Sequence, residues 1–376
     1  METYRMLEVY LSGKRVGALA TYQGIFVAFE YDESWLNNGF AISPFSLPLQ
    51  KKLYIPKYDP HDGLFGAFAD SLPDGWGRLL VDRLLLREHV DPREVDMLNR
   101  LAIVGDSGMG ALTYRPIHKW RSGQAITEYD RIADECRKTL ESEHSEDLDE
   151  LFRLGGSSGG ALPKILTKIG GEDWLVKFPS TTDSRDAGEA EYRYSLCAKK
   201  CGIDMAETRL LPSKQCAGYF GTKRFDRIKT EGGKTKRIHM LTASALLEVS
   251  HRVPSLDYDS LMHLTLELTK SYQEVEKMYR LMCFNVYAHN RDDHSSNFSF
   301  IYDEKQAAWR LAPAYDLTRS DSIGGEHATC VNGNGRDPST KDILAVAEKI
   351  GIAKAKSKEI ANQVQQTVHE ELGKSC

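Results

Sequence analysis

The sequence predicts an α+β protein in which a small α+β N-terminal module is followed by a sheet-bearing lobe and then a mainly helical lobe. Three observations predict this order: alternating apolar residues in the first third, a glycine-rich turn leading into strand and helix patterns, and long helical repeats after residue 260. The predicted divisions are 1–118, a connecting segment 119–150, a sheet-bearing lobe 151–225 and a helical lobe 226–376.

The N-terminal module is predicted to contain four short strands and two helices. Leu7, Val9 and Leu11 alternate with polar residues, and residues 16–20 and 24–31 have the apolar content of two further strands. Trp76, Leu80 and neighbouring leucines repeat at helical spacing, and a second helix is expected to begin near residue 91. The glycines at 105–110 predict a turn into a fourth strand.

The segment between the module and the rest of the chain is polar and charged. Residues 128–140 have a helical pattern, and an acidic run occupies residues 141–150. Composition shifts of this kind are typical of domain boundaries, so we place the boundary here.

The overall composition is that of an ordinary water-soluble globular protein. The 376 residues carry 27% charged and 41% hydrophobic side chains with a net charge of −5, which gives no general signal for nucleic-acid binding. No apolar run is long enough to span a membrane, and the N-terminus lacks the features of a signal peptide. The seven cysteines are scattered, so we predict a reduced, cytoplasmic protein without a membrane partner.

One polar run carries the strongest chemical signal. Asn290-Arg291-Asp292-Asp293-His294-Ser295-Ser296-Asn297 follows a helical repeat, precedes a predicted hairpin over residues 297–312, and is followed by Asp316. Protein kinases place a catalytic Asp five residues before a magnesium-binding Asn, and a second metal-binding Asp follows. The spacing predicts a protein-kinase-like two-lobed core with Asp292 as the base and Asn297 and Asp316 as ligands of Mg²⁺.

Upstream residues fit the phosphate side of such a site. The run Leu154 to Lys164 contains four glycines, and its backbone N–H groups could bind phosphates, although a plain linker or turn is the commoner role of such a run. Lys177 lies in an apolar strand, where it either faces solvent or pairs with ATP phosphates and an acid. Glu191 on the next helix is our candidate for that acid, with Glu189 as the competitor.

Two further segments allow a functional and a purely structural interpretation. Residues 223–225 follow a predicted strand and could form the hinge that offers backbone groups to adenine, or they could be an exposed charged strand end. His289 and His294, together with the neighbouring aspartates, could bind the metal of a phosphohydrolase. The order of Asp292, Asn297 and Asp316 is explained by the kinase hypothesis and not by the hydrolase hypothesis.

These segments resemble the HipA-type toxin kinases, a bacterial serine/threonine kinase family of type II toxin–antitoxin systems. The resemblance covers about residues 5–355. In the N-terminal module it includes residues 24–32, Ile42-Ser43 before Leu47-Pro48, residues 72–75 and the turn 105–112.

The resemblance implies roles for individual residues. Ser157 corresponds to the autophosphorylated serine of a mobile loop, with Ser158 as an adjacent alternative, and Asp292 corresponds to the catalytic base. Asn297 and Asp316 correspond to metal ligands. The implied ATP-binding residues are Ser158, Gly159, Gly160, Ala161, Leu162, Pro163, Lys164, Lys177, Lys223, Arg224, Phe225, His294 and Tyr315.

The resemblance also implies cofactors and partners. Members use ATP and Mg²⁺, phosphorylate aminoacyl-tRNA synthetases, and thereby arrest growth and produce persister cells. They are restrained by a small helix-turn-helix antitoxin that binds operator DNA, so this chain would meet DNA indirectly. Ser296 and Leu162 depart from the family's pattern of a Lys and a polar residue. These departures keep open a second hypothesis, a co-repressor subunit with weak catalysis.

Overall fold

The computed structural model describes residues 2–118, 127–141, 147–156, 159–322 and 324–373. The chain forms two compact units: unit 1 comprises Met1–Glu189 with Arg209–His239, and unit 2 comprises Ala190–Thr208 with Met240–Cys376. Strands and helices occur in both units, which confirms the predicted α+β class. None of the described helices is long and apolar enough to cross a membrane.

The N-terminal part of unit 1 is built on a four-stranded antiparallel sheet with the order β3-β2-β1-β4. Successive side chains of a strand point to opposite faces of the sheet, and the alternate residues Leu7, Val9 and Leu11 of the first strand are all buried. The strands are β1 (Met6–Leu11), β2 (Lys14–Tyr22), β3 (Phe26–Tyr31) and β4 (Leu112–Arg115). The helices are α1 (Glu33–Asn38), α2 (Gly66–Ala69), α3 (Gly75–Arg87) and α4 (Met97–Val104).

The second predicted helix begins later than its sequence pattern indicated. Pro92–Glu94 forms only a 3₁₀ turn, and α4 begins at Met97. The Asp96 side chain accepts the Asn99 N–H at 2.8 Å, which satisfies one of the free donors of the first turn. The cap, rather than the apolar spacing, therefore sets the helix start.

The remainder of unit 1 is a second sheet covered by helices of the same unit. Its strand order is β5-β6-β8-β7, and a separate hairpin joins β9 and β10. The elements, with the helix that continues into unit 2, are α5 (Tyr129–Leu140), α6 (Leu148–Gly155), β5 (Lys164–Ile169), β6 (Glu172–Lys177), α7 (Ala187–Lys200), β7 (Thr208–Leu211), β8 (Tyr219–Lys223), β9 (Arg227–Lys229) and β10 (Thr235–Arg237).

One hydrophobic core joins the N-terminal module to this second sheet. Trp76 of α3, Leu151 of α6 and Val176 of β6 belong to the same buried cluster. Helix α6 was hidden in the sequence by the acidic run before it, but Leu148, Leu151 and Leu154 supply its apolar face. The domain divisions drawn from the sequence stay a prediction.

Unit 2 is mainly helical, with a three-stranded sheet of order β11-β13-β14 and a parallel pair of β12 and β15. The hairpin predicted over residues 297–312 is present as β13 and β14, and the capping box of Ser339 and Asp342 opens α11. The elements are β11 (Met240–Thr242), α8 (Ala243–Leu247), β12 (Leu256–Asp257), α9 (Tyr258–Thr269), α10 (Tyr272–Tyr287), β13 (Ser299–Asp303), β14 (Ala308–Leu311), β15 (Thr329–Cys330), α11 (Thr340–Ile350) and α12 (Lys354–Leu372).

Candidate active site

The polar run 290–297 leaves the end of α10 through a fixed turn in unit 2. His289 has a left-handed backbone, with φ of 51°. The Asn290 amide then donates to Asn285 Oδ1 at 3.0 Å, and the Asn290 N–H donates to the Asn285 carbonyl at 2.9 Å. Helix α10 therefore sets where the run begins.

The run itself contains a buried carboxylate, to which the sequence analysis gave no structural role. Asp293 is 1% exposed and accepts the Tyr258 hydroxyl at 2.9 Å and the Thr329 N–H at 3.2 Å. The ring Nδ1 of His327 lies 3.0 Å from Asp293 Oδ2. Burial, followed by the charge of Asp293, raises the pKa of Tyr258 well above its ordinary value, so this phenol stays protonated and donates.

Asp292, in contrast to Asp293, is accessible to solvent. Its side chain is 62% exposed, and Nε2 of His294 lies 3.9 Å from its Oδ1. The Asn297 amide nitrogen donates to the Asp292 carbonyl at 2.7 Å. The Asp292 carbonyl is thus held while its side chain stays exposed to solvent, as a base that meets a substrate requires.

Tyr315 ties the segment before Asp316 to the segment around Asn297. Its hydroxyl donates to the Ser296 carbonyl at 2.7 Å and lies 2.6 Å from Ser299 Oγ. Asp316 itself has a positive φ of 58°, a conformation that non-glycine residues seldom adopt outside turns and functional sites. Sequence reasoning gave Tyr315 a ligand-binding role and missed this bridging contact.

The Asn297 side chain leaves an oxygen atom that suits a hard cation. The Asn297 amide nitrogen is used for the backbone bond, and no described residue donates to its Oδ1, which leaves that oxygen for a cation. Buried polar atoms nearby also lack partners among the described residues: Nδ1 of His294 and Oγ of Ser295. No group of three or more His, Cys, Asp or Glu side chains in the described ranges is arranged to hold a metal.

In unit 1, the glycine-rich turn precedes β5. Ser157 and Ser158, the predicted phosphorylation site and its neighbour, lie outside the described residues. Gly159, Gly160 and Ala161 are exposed, whereas Pro163 and Lys164 are buried. The Gly160 carbonyl accepts the Trp76 N–H at 3.1 Å, so α3 of the N-terminal module holds this turn.

Two buried lysines stand opposite each other behind the turn. Lys164 of β5 and Lys177 of β6 are paired in register and are 4% and 8% exposed. Nζ of Lys164 donates to the Gly159 carbonyl at 2.7 Å. Two like charges on facing positions are unfavourable by themselves.

Substituting Gly75 tests the docking of the glycine turn. Gly75 has φ of +46°, and an added Cβ would meet the Gly160 carbonyl oxygen at 2.5 Å and Ala161 Cα at 2.7 Å. We expect Gly75→Ala to lower the free energy of unfolding by about 1–3 kcal/mol more than the control Gly13→Ala, as measured by urea unfolding. Gly13 has φ of +81° with nothing within 4 Å, so it carries the backbone strain alone. Equal losses in the two variants would contradict the contact.

The predicted hinge is anchored by side chains within unit 1. Lys223 Nζ lies 2.5 Å from Glu172 Oε1, and the Arg224 N–H donates to the Asp173 carbonyl at 2.9 Å. The Arg224 guanidinium donates twice to Asp226, at 2.9 and 2.7 Å. Phe225, which lies between Arg224 and Asp226 in the chain, is half-buried. Arg224 is 8% exposed, so it does not lie at the exposed strand end that the sequence also allowed.

Asp226 should make unit 1 sensitive to acid. Burial alone would raise the pKa of Asp226, but the Arg224 and Arg227 guanidiniums lower it to about 2. Its contribution of about 2–3 kcal/mol is therefore complete above its unfolded-state pKa near 3.9 and is lost as pH falls towards 2. Urea unfolding from pH 5 to pH 3 should show about half of this loss in the wild type and none of it in Asp226→Asn. Parallel curves for the two proteins would contradict it.

Burial distinguishes the two glutamates that were considered as the partner of the ATP lysine. Glu189 is exposed, whereas Glu191 is 6% exposed on α7. A buried carboxylate needs a partner more than a solvated one does, which favours Glu191. Lys177 and Glu191 belong to different units, and their pairing stays a prediction.

Comparison with known proteins identifies relatives over most of the chain. Two Sinorhizobium fredii proteins whose names class them as candidate kinases, Y4dM and Y4mE, are 25% and 26% identical to it. The match to Y4dM covers 88% of this chain and 81% of Y4dM, and the match to Y4mE covers 84% and 77%.

A solved structure has the same fold. It is the complex of HipA, HipB and operator DNA from a Shewanella oneidensis toxin–antitoxin system, with a TM-score of 0.72 and 18% identity over 97% of this chain and 90% of that one. Residues 7–115 match the HipA N-terminal domain, and residues 156–372, more than half of the chain, match the HipA-like C-terminal domain. The resemblance drawn from the sequence is confirmed, and the chain belongs to the HipA family.

Proposed function

We propose that this protein is a Mg-ATP-dependent protein serine/threonine kinase and the toxin of a toxin–antitoxin pair. One observation carries the proposal: an exposed Asp292 stands on a loop held from beneath by buried Asp293, with Asn297 and the segment of Asp316 fixed beside it. The names of the S. fredii relatives and the toxin–antitoxin context of the S. oneidensis structure support it.

The residues of unit 2 would act on the substrate hydroxyl. Asp292 accepts the hydroxyl proton as the oxygen forms a bond to the γ-phosphorus and the bond from that phosphorus to the β–γ bridging oxygen breaks, releasing ADP. Asn297 Oδ1 and Asp316 would hold Mg²⁺, which neutralises phosphate charge when bound. His294 and Tyr315 would line the nucleotide.

The residues of unit 1 would hold the nucleotide. The backbone of residues 158–163 would bind phosphate oxygens, and Lys164 and Lys177 would neutralise their charge. Lys223, Arg224 and Phe225 would contact adenine through their backbone and the aromatic ring. Glu191 would orient Lys177.

The cellular role follows from the family context. We propose an aminoacyl-tRNA synthetase or another translation protein as the substrate, with growth arrest and persistence as the outcome. Autophosphorylation at Ser157 would end activity, because a phosphate adds about −1.5 to −2 charges that compete with ATP for the same backbone donors. A small helix-turn-helix antitoxin would restrain the kinase and link it to operator DNA, and the cytoplasm would be its compartment.

Phosphate transfer from γ-labelled ATP tests the proposal. With Mg²⁺ we expect label on the protein, at a site within residues 157–158 by peptide mapping, and no label after chelation of the metal. Ser157→Ala and Ser158→Ala should separate the two serines. ATP binding without any transfer would favour the catalytically weak co-repressor, and release of free phosphate alone would favour the hydrolase.

A further inference from the structure

A loop of the N-terminal module is held by the charged segment that follows the hinge. Within unit 1, Asp226 accepts the Gly110 N–H at 2.8 Å, and Arg227 donates to the Gly110 carbonyl at 2.8 Å. Arg237 donates to the Gly110 carbonyl at 2.9 Å and the Gly108 carbonyl at 2.7 Å. Arg237 also donates to the Asp106 carbonyl. Residues 106–110 thus receive a donor or acceptor from three side chains of residues 226–237.

The central side chains of this network are buried, so a contribution to stability alone does not explain why they are charged. The side chains of Arg224, Asp226 and Arg227 are 6%, 1% and 9% exposed. Desolvating a carboxylate and several guanidiniums costs several kcal/mol per ion, and apolar residues of similar volume often stabilise a fold as well or better. What a charged network supplies instead is a fixed geometry, because each bidentate contact sets an orientation.

The geometry fixed here is that of the hinge. Arg224 is bonded to Asp226 through its guanidinium and to Asp173 through its N–H, so the backbone of residues 223–225 has no freedom to shift without breaking these bonds. The same module also docks the glycine turn through Trp76 and Gly160. The N-terminal module therefore contacts the rest of unit 1 at the glycine turn and at residues 226–237, which directly follow the hinge.

We propose that loop 106–110 of the N-terminal module, held by Asp226 and Arg237, positions the hinge for the adenine base. The inference rests on the proposed function and adds positioning residues to it. Asp226 and Arg237 are not among the residues proposed to contact the nucleotide or the substrate hydroxyl. They act through the backbone of residues 223–225, so their loss should weaken recognition of adenine and leave recognition of phosphates in place.

Calorimetric titration of the full chain with two probes, ATP and inorganic tripolyphosphate, tests this. Arg237→Met should weaken ATP binding about tenfold and change tripolyphosphate binding less than about twofold, since the glycine turn and both lysines are untouched. Arg237→Lys, which keeps the charge and one donor, should recover part of the ATP affinity. The control is Arg93→Met, because Arg93 is 89% exposed and its ion pair is with nearby Asp91.

The outcomes separate the two proposals. Equal ATP affinity in Arg237→Met and the wild type, with the thermal unfolding of both shown to be cooperative, would overturn the positioning role. Parallel weakening of both probes would also overturn it, because that is the mark of a generally loosened unit 1. A wild-type chain that binds tripolyphosphate but not ATP would instead remove the proposed function together with the inference.

Discussion

Asp292→Asn is expected to slow phosphate transfer by about 10²–10⁴-fold while ATP affinity stays within about twofold of the wild type. Asn cannot accept the proton of a substrate hydroxyl, so the base is lost. Its size and its backbone are unchanged, and the bond from the Asn297 amide goes to the backbone carbonyl of residue 292, which the substitution keeps. Single-turnover transfer from labelled ATP, with a separate binding titration, measures both quantities.

The matched control is Asp321→Asn in the same unit. Asp321 is 78% exposed and pairs with Arg319 at 3.4 Å, so it has a similar environment but no assigned role. We expect wild-type transfer from this variant and wild-type thermal stability from both. Transfer by Asp292→Asn at the wild-type rate would show that another group is the base.

Asp293→Ala is expected to lower the free energy of unfolding of unit 2 by about 3–5 kcal/mol. The substitution leaves the Tyr258 hydroxyl, the Thr329 N–H and the His327 ring without their shared acceptor in a site that water does not reach. Asp293→Asn should cost less, about 1–3 kcal/mol, because its remaining oxygen can still accept one of these donors. Urea unfolding followed by circular dichroism gives the values.

Asp321→Ala is the control for this series, and it should change stability by less than about 0.5 kcal/mol. A midpoint for Asp293→Ala equal to that of the wild type would mean that the buried contacts re-form around another acceptor. In that case the loop of Asp292 would not depend on Asp293 for its support.

The elements with local signals could be predicted from the sequence. The hairpin of β13 and β14 has alternating residues around a turn, and the capping box of α11 lies within four residues, so neither depends on distant partners. Helix α6 was missed because its apolar face is short and follows an acidic run. The start of α4 was misplaced because Asp96, and not the apolar pattern, caps the helix.

The supports of the site could not be predicted in this way. Asp293 meets Tyr258 across 35 residues, and Asp226 meets Gly110 across 116 residues. No sequence periodicity relates such distant positions. Asp293 also adjoins the catalytic motif, so the sequence alone suggests that it belongs to that motif. The positions of Asp292, Asn297 and Asp316 were visible because loop spacing within one segment is local, whereas their roles stay a prediction.

The order in which the two units occupy the chain has a consequence for synthesis. Unit 1 ends only with Arg209–His239, after the first segment of unit 2 has been made. At ribosomal rates of roughly 5–20 residues per second, the 116 residues from Gly110 to Asp226 take on the order of ten seconds to appear. Within that interval, β6 is complete at Lys177 but lacks its neighbour β8 until Tyr219–Lys223 has been made, so an edge of β6 is exposed. The nascent protein is therefore most open to chaperones, proteases and aggregation between the synthesis of β6 and that of β8.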